Sequence, residues 1–134
     1  MSETNTKGPE YFIDFGLHQA LERGIQSAGF ETPRPIQLQA IPAVLDRRDV
    51  LGLAQTGTGK TAAFALPILD RILRDQRRAT RTMILAPTRE LATQIAEEIR
   101  ALARFAKIKV AVIYGGVPIY KQRGVLKSQP EIVV

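Results

Sequence analysis

A chain of 134 residues has the length of one domain, and with 45% hydrophobic residues it can build a core without covalent staples. The absence of cysteine and the single histidine, His18, exclude disulfides and cysteine–histidine zinc centres. A net charge of +6 and a pI near 10.1 favour a polyanionic partner such as nucleic acid, while no apolar run approaches the ~18 residues of a membrane helix.

Residues 1–10 read as a loose polar leader with no secretory signal, and together with the missing cysteines they fit a cytoplasmic protein. LHQALERGIQSAGF then places Leu17, Ala20, Leu21, Ile25 and Ala28 at helical spacing, with Gly29 where a C-terminal cap glycine belongs. PIQLQAIPAVLD enters a second helix through Pro35; Ile36, Ala40 and Val44 form one stripe, and Pro42 is expected to kink or interrupt it. VLGLA is a run of strand length, and KTAAFALPILDRILRD is helical with an internal Pro67. Arg74–Arg81, RDQRRATR, reads as a solvated turn. TRTMILA predicts a strand. TRELATQIAEEIRALARFA predicts the clearest helix, with Leu91, Ile95, Ile99 and Leu102 on one face and Glu97 and Glu98 toward solvent. KVAVIYGG, IYKQRGVLK and EIVV predict a strand, a helix and a strand, and His18 reads as a surface helix residue. Helices alternating with continuously apolar strands predict an α/β fold, a parallel sheet buried between helices.

The stretch AQTGTGKT, Ala54–Thr61, lies between a predicted strand and a predicted helix with the Gly-Lys-Thr spacing of a phosphate-binding loop, although Ala54 stands where the strict pattern has glycine. Gly57 and Gly59 free the backbone to turn successive N–H groups inward, and the helix starting near Lys60 points its positive end at the same place. Lys60 supplies a mobile charge for the β- and γ-phosphates, and the Thr61 hydroxyl suits Mg²⁺. Ala54, Gln55, Thr56, Gly57, Thr58, Gly59, Lys60 and Thr61 are therefore the candidate triphosphate site.

A phosphate loop does not choose a base. GFETPRPIQ, Gly29–Gln37, ends on a glutamine whose amide pairs one donor with one acceptor, matching the N6 and N7 edge of adenine but not guanine. Phe30 or Phe12 is available to cover the base, and Pro33 and Pro35 stiffen the approach.

These elements together resemble the DEAD-box RNA helicases of superfamily two. GFETPRPIQ matches the family's Q motif, Phe12 lies 17 residues before Gly29 where the family has an isolated aromatic, and AQTGTGKT is the family's own form of motif I, alanine included. PTRELA, Pro87–Ala92, matches motif Ia, and Gly115-Gly116 the double-glycine element. The resemblance covers residues 11–134 and implies a partial RecA-like P-loop domain, incomplete at the C-terminal end. It implies that Gln37 reads adenine, that Phe30 packs on it and that the backbone carbonyl near Thr32 takes part. It also implies that Pro87, Thr88, Arg89, Gly115 and Gly116 line an RNA-backbone path. Read alone, without the resemblance, TRE is better explained as an ordinary helix start, with Thr88 as cap and Glu90 at the positive end of the dipole.

The resemblance implies ATP and Mg²⁺ as cofactors and RNA as partner. No Asp-Glu-Ala-Asp element occurs in these residues, and the family's second helicase domain, needed for hydrolysis and unwinding, is expected further along a parent chain. The expected function is that of an ATP-dependent RNA helicase fragment, inactive alone. The alternative is a non-catalytic adenine-nucleotide or RNA-binding module.

Overall fold

The computed structural model describes residues 8–134, so of the expected leader residues 1–7 lie outside the described residues, and Gly8, Pro9 and Glu10 precede a 3-10 turn, Phe12–Phe15. His18 then acts as the N-cap of helix α1, Gln19–Ser27, its Nδ1 accepting the Ala20 N–H at 3.1 Å. The helix ends as Gly29 predicts: with φ at 79°, Gly29 donates its N–H to Gln26 and lets Phe30 donate to Ile25, both at 3.1 Å. This pair of bonds is the Schellman closure, and it turns Phe30 back against the core.

Helix α2, Pro35–Leu45, starts on its proline and runs past Pro42. The interruption expected there does not occur: Pro42 lacks an N–H to donate, but its carbonyl still accepts from Asp46 at 3.0 Å and only the last turn follows it. Helix α3, Lys60–Arg74, is the spine of the core and buries Ala62, Ala65, Leu66, Pro67 and Leu69. Helix α4, Arg89–Leu102, buries Ala92, Ile95, Ala96, Ile99 and Leu102, while Leu91, expected on that face, is 37% exposed. Gly24 of α1 meets α4 backbone to backbone, where a Cβ would collide with the Leu102 carbonyl.

Strands β1 (Thr82–Met83), β2 (Val110–Ala111) and β3 (Ile132–Val133) form a parallel sheet in the order β1-β3-β2. Thr82 and Val110 both pair with Ile132, and Met83 and Ala111 with Val133. Helix α4 connects β1 to β2, and α5, Ile119–Lys127, connects β2 to β3. The predicted α/β order is thus present.

The segment VLGLA is not a strand. A strand needs a neighbour for its N–H and C=O groups, and none of the described strands lies beside it. Leu51 and Leu53 are 88% and 87% exposed, as are Met83 at the end of the edge strand β1 and Leu85 just after it. Among the described residues no helix is long and apolar enough to cross a membrane.

Candidate functional site

The Q-motif loop and the glycine loop meet at one side chain. Gln37 is fully buried, and its Nε2 donates to the Gly59 carbonyl at 3.1 Å. Its Oε1 accepts the Arg34 N–H at 2.8 Å, the return half of a capping box at the start of α2. Arg34 adds a second tie, its Nη1 donating to the Gly57 carbonyl. The close approach explains one glycine: Gly59 has φ at 84°, and a Cβ there would run into the Gln37 amide. Gln37 thus touches the glycine loop, which its spacing alone did not show, and it borders neither of the two hollows beside that loop.

A cleft of about 930 Å³ opens between α2, the glycine loop and α4. Phe30, Ile36, Ala40 and Val44 form an apolar wall; Thr56, Gly57, Gly59, Lys60 and Thr61 form a polar one. The stripe Ile36–Ala40–Val44, read from periodicity, therefore faces the cleft, while Gln37 and Ile41 occupy the interior. Ala54, Gln55 and Thr58 border a second, smaller hollow, which shares Arg34, Ile36 and Gly57 with the first. The expected triphosphate residues thus divide between two adjoining hollows.

Phe30 lines the cleft, whereas Phe12 does not. Phe12 is only 5% exposed and stands edge-on to Phe30, with centroids 6.1 Å apart and planes at 89°. It packs against Phe30 within the core cluster. Thr32 is exposed and borders neither hollow.

Within the glycine loop, Lys60 Nζ donates to the Ala54 carbonyl at 2.7 Å and Thr58 Oγ1 to the Gln55 carbonyl at 2.6 Å. The ammonium thus spans the loop from its last residues to its first. The first N–H groups of α3 have no acceptor within the helix and open at the same place, as an anion site requires. Thr61 lines the cleft beside Lys60. Among the described residues no group of three carboxylate, imidazole or thiol side chains converges on a metal position. Mg²⁺ suits such a site all the same, because it keeps most of its waters and binds through phosphates with one or two protein oxygens.

At the motif Ia end, Thr88 caps α4, its hydroxyl accepting the Leu91 N–H at 3.1 Å. Arg89 donates through Nη2 to the Gly115 carbonyl, and its guanidinium lies 5.1 Å from the centroid of the Tyr114 ring. Gly116 has φ at 85°, which favours glycine, and a Cβ there would displace the Arg89 guanidinium. The helix-start reading of TRE is what these contacts show: Thr88 is an ordinary cap, and Arg89 joins the double glycine. Pro87, Thr88, Arg89, Gly115 and Gly116 are all exposed.

Three features escaped the sequence reading. Asp70 is not a surface residue: it is 5% exposed, and its Oδ1 accepts the His18 N–H at 2.7 Å while its Oδ2 accepts Arg74 Nε at 2.8 Å. Arg74 in turn donates to the Gly16 carbonyl at 2.9 Å, so the pair fastens the Phe12 turn to α3. Glu98 lines the cleft together with Asp49 instead of facing open solvent. The basic turn is organised by Asp75, which holds Arg77 Nη2 at 2.6 Å and Arg81 Nη2 at 3.0 Å. Only helical spacing from a known helix face flags such residues, and charge alone carries no such information.

Comparison with known proteins agrees with this arrangement. A DEAD/DEAH box helicase family model matches residues 34–134. The DEAD-box ATP-dependent RNA helicase RhpA of Helicobacter pylori (strain B128) is 44% identical over 123 residues, which are 92% of this chain and 25% of that protein. A DEAD box protein from Methanococcus jannaschii superimposes with a TM-score of 0.84 at 37% identity, covering 94% of this chain and 34% of the other. The RNA helicase Prp28 from Chaetomium thermophilum, solved bound to ADP, gives a TM-score of 0.82 at 38% identity, covering 95% and 32%. The chain spans about a quarter of the curated relative's length and about a third of these solved chains. With a family match over most of its residues and a RecA-like fold around the glycine loop, the chain belongs to the DEAD/DEAH box helicase family, as the N-terminal part of its first domain.

Proposed function

We propose that this chain is the adenine-nucleotide-holding part of an ATP-dependent RNA helicase whose parent protein unwinds RNA duplexes with ATP hydrolysis. The observation that carries the reading is the pairing of Gln37 and Lys60 on one loop, the amide on the Gly59 carbonyl and the ammonium on the Ala54 carbonyl. Nucleotide binding exchanges both bonds. Lys60 leaves Ala54 for phosphate oxygens, and the first N–H groups of α3 join it. Gln37 turns its amide to adenine, with Phe30 against the ring and the Thr32 carbonyl beside it. Thr61 holds Mg²⁺, which neutralises charge on the phosphates when ATP is bound.

Pro87, Thr88, Arg89, Gly115 and Gly116 take the RNA backbone, a role that exposed N–H groups and a guanidinium perform without reading sequence. Catalysis needs the family's C-terminal helicase domain as well, so this stretch binds and does not turn over. The test is calorimetric titration with ADP and GDP. ADP is expected to bind about tenfold more tightly, a factor within the ~1–3 kcal/mol of a bidentate base contact. Equal affinities would remove the adenine assignment.

A further inference from the structure

Helix α5 presents a basic face that no other element covers. None of its nine residues is buried, and it carries Lys121, Arg123 and Lys127 with no acidic side chain. Among the described residues none of these cations is in an ion pair. Tyr120 is 71% exposed, although a tyrosine ring is a large apolar surface to leave in water.

Gln122 ties the helix to the loop before it, and Lys109 Nζ donates to the carbonyl of its C-cap Ser128 at 3.4 Å. Gln122 accepts the Tyr114 N–H at 3.0 Å and donates to the Val117 carbonyl at 3.4 Å. That anchor is the double-glycine loop, which Arg89 grips from its other side through the Gly115 carbonyl. On a helix of 3.6 residues per turn, Tyr120, Arg123 and Lys127 fall on one stripe opposite Gln122. Gly124 lies beside that stripe with nothing within 4 Å of where its Cβ would be, so the surface next to the ring is flat and open.

We propose that Tyr120, Arg123 and Lys127 form a further subsite for single-stranded RNA, one base stacking on Tyr120 and adjacent phosphates meeting the two cations. The inference rests on reading Arg89 and the double glycine as an RNA path, which this stripe continues across one helix diameter, ~10–12 Å. An exposed aromatic ring followed by spaced cations, with no hydrogen-bonding pattern for a particular base, is the arrangement of sequence-tolerant single-strand binding.

The experiment is fluorescence anisotropy of the chain with a short uridine oligonucleotide, with length-matched polyphosphate and with a polyglutamate peptide. Far-UV circular dichroism checks folding of each variant, and these exposed positions are expected to leave it unchanged. Tyr120→Ala is expected to weaken the oligonucleotide about tenfold and leave polyphosphate binding unaltered. Arg123→Ala with Lys127→Ala is expected to weaken both and to lower the salt slope by about 1.4. The subsite is overturned if Tyr120→Ala binds the oligonucleotide as the parent does, or loses both polyanions equally, or if the parent prefers polyglutamate. An Arg89→Ala variant separates the two readings. Loss in Arg89→Ala with full binding in the α5 variants removes the subsite and keeps the path. The reverse removes the path and leaves α5 as an independent site. A parent chain that binds no RNA at low salt overturns both.

Discussion

Gln37 ties the start of α2 to the glycine loop: its buried amide donates to the Gly59 carbonyl at 3.1 Å, at the N-cap of the helix that begins with Lys60. The other end of the same amide caps α2 through Arg34. Gln37→Glu keeps the capping oxygen but replaces the donor by a carboxylate oxygen facing a carbonyl. The expected result is loss of preference for ADP over GDP, with stability lowered by ~1–3 kcal/mol for the buried group left without its partner. Calorimetry with both nucleotides and a thermal melt check this. A Gln37→Glu chain that still prefers ADP places base recognition elsewhere.

Lys60 makes its described bond to the Ala54 carbonyl, at 2.7 Å. A phosphate replaces that carbonyl with a full charge, so the gain from Lys60 depends on the ligand's phosphates. Lys60→Ala is expected to weaken ATP at least tenfold, in line with ~1.5–3 kcal/mol for a hydrogen bond to a charged group, and to leave adenosine binding unchanged. Parallel titrations of the two ligands decide it; similar losses for both would mean that Lys60 shapes the loop without meeting phosphate.

The glycine loop and motif Ia are legible in sequence because backbone geometry demands particular residues there: Gly57 and Gly59 have positive φ, and Thr88 caps its helix. Helices α1, α3 and α4 are legible because their apolar spacing is dictated by the core. What periodicity cannot supply is which apolar face meets which element. Ile36, Ala40 and Val44 have core spacing yet line a cleft, while polar Gln37 is buried in their midst. VLGLA has strand composition, but a strand is a property of a pair, and the described sheet offers it no neighbour. Nor does spacing show that Arg74, one turn on, and the His18 backbone close on Asp70 and bury it.

The basic turn after α3 carries a pH signature. Hydrogen bonds from Arg77 hold the Asp75 carboxyl down from the ordinary 3.8 to about 2. A carboxylate depressed on folding contributes stability above its unfolded value, and that contribution is lost as the pH falls from about 3.8 through about 2. Titration of the Asp75 carboxyl carbon by NMR is expected to give a midpoint near the lower figure, moving up toward the ordinary one in Arg77→Ala. High salt is expected to shift it the same way, because the pair is at the surface. A midpoint at the ordinary value in the parent chain would show that the turn does not persist in solution.

The chain alone is expected to show no RNA-stimulated ATPase activity. Hydrolysis needs a held metal, an oriented water and charge stabilisation opposite the phosphate loop. The described residues supply the loop, with Lys60 and Thr61 at the cleft. Asp70 is buried and bound to Arg74, so it is out of reach of a metal at Thr61. Only Asp49 and Glu98 bring carboxylates to the cleft, and no third ligand-type side chain joins them among the described residues. Phosphate release with and without single-stranded RNA measures the expectation, and Lys60→Ala controls for contaminating enzymes. Turnover that rises with RNA and disappears in Lys60→Ala would establish that the chain catalyses by itself. Asp49→Asn and Glu98→Gln then identify the carboxylate responsible, since each removes a charge at the cleft while leaving the glycine loop and its Gln37 contact intact.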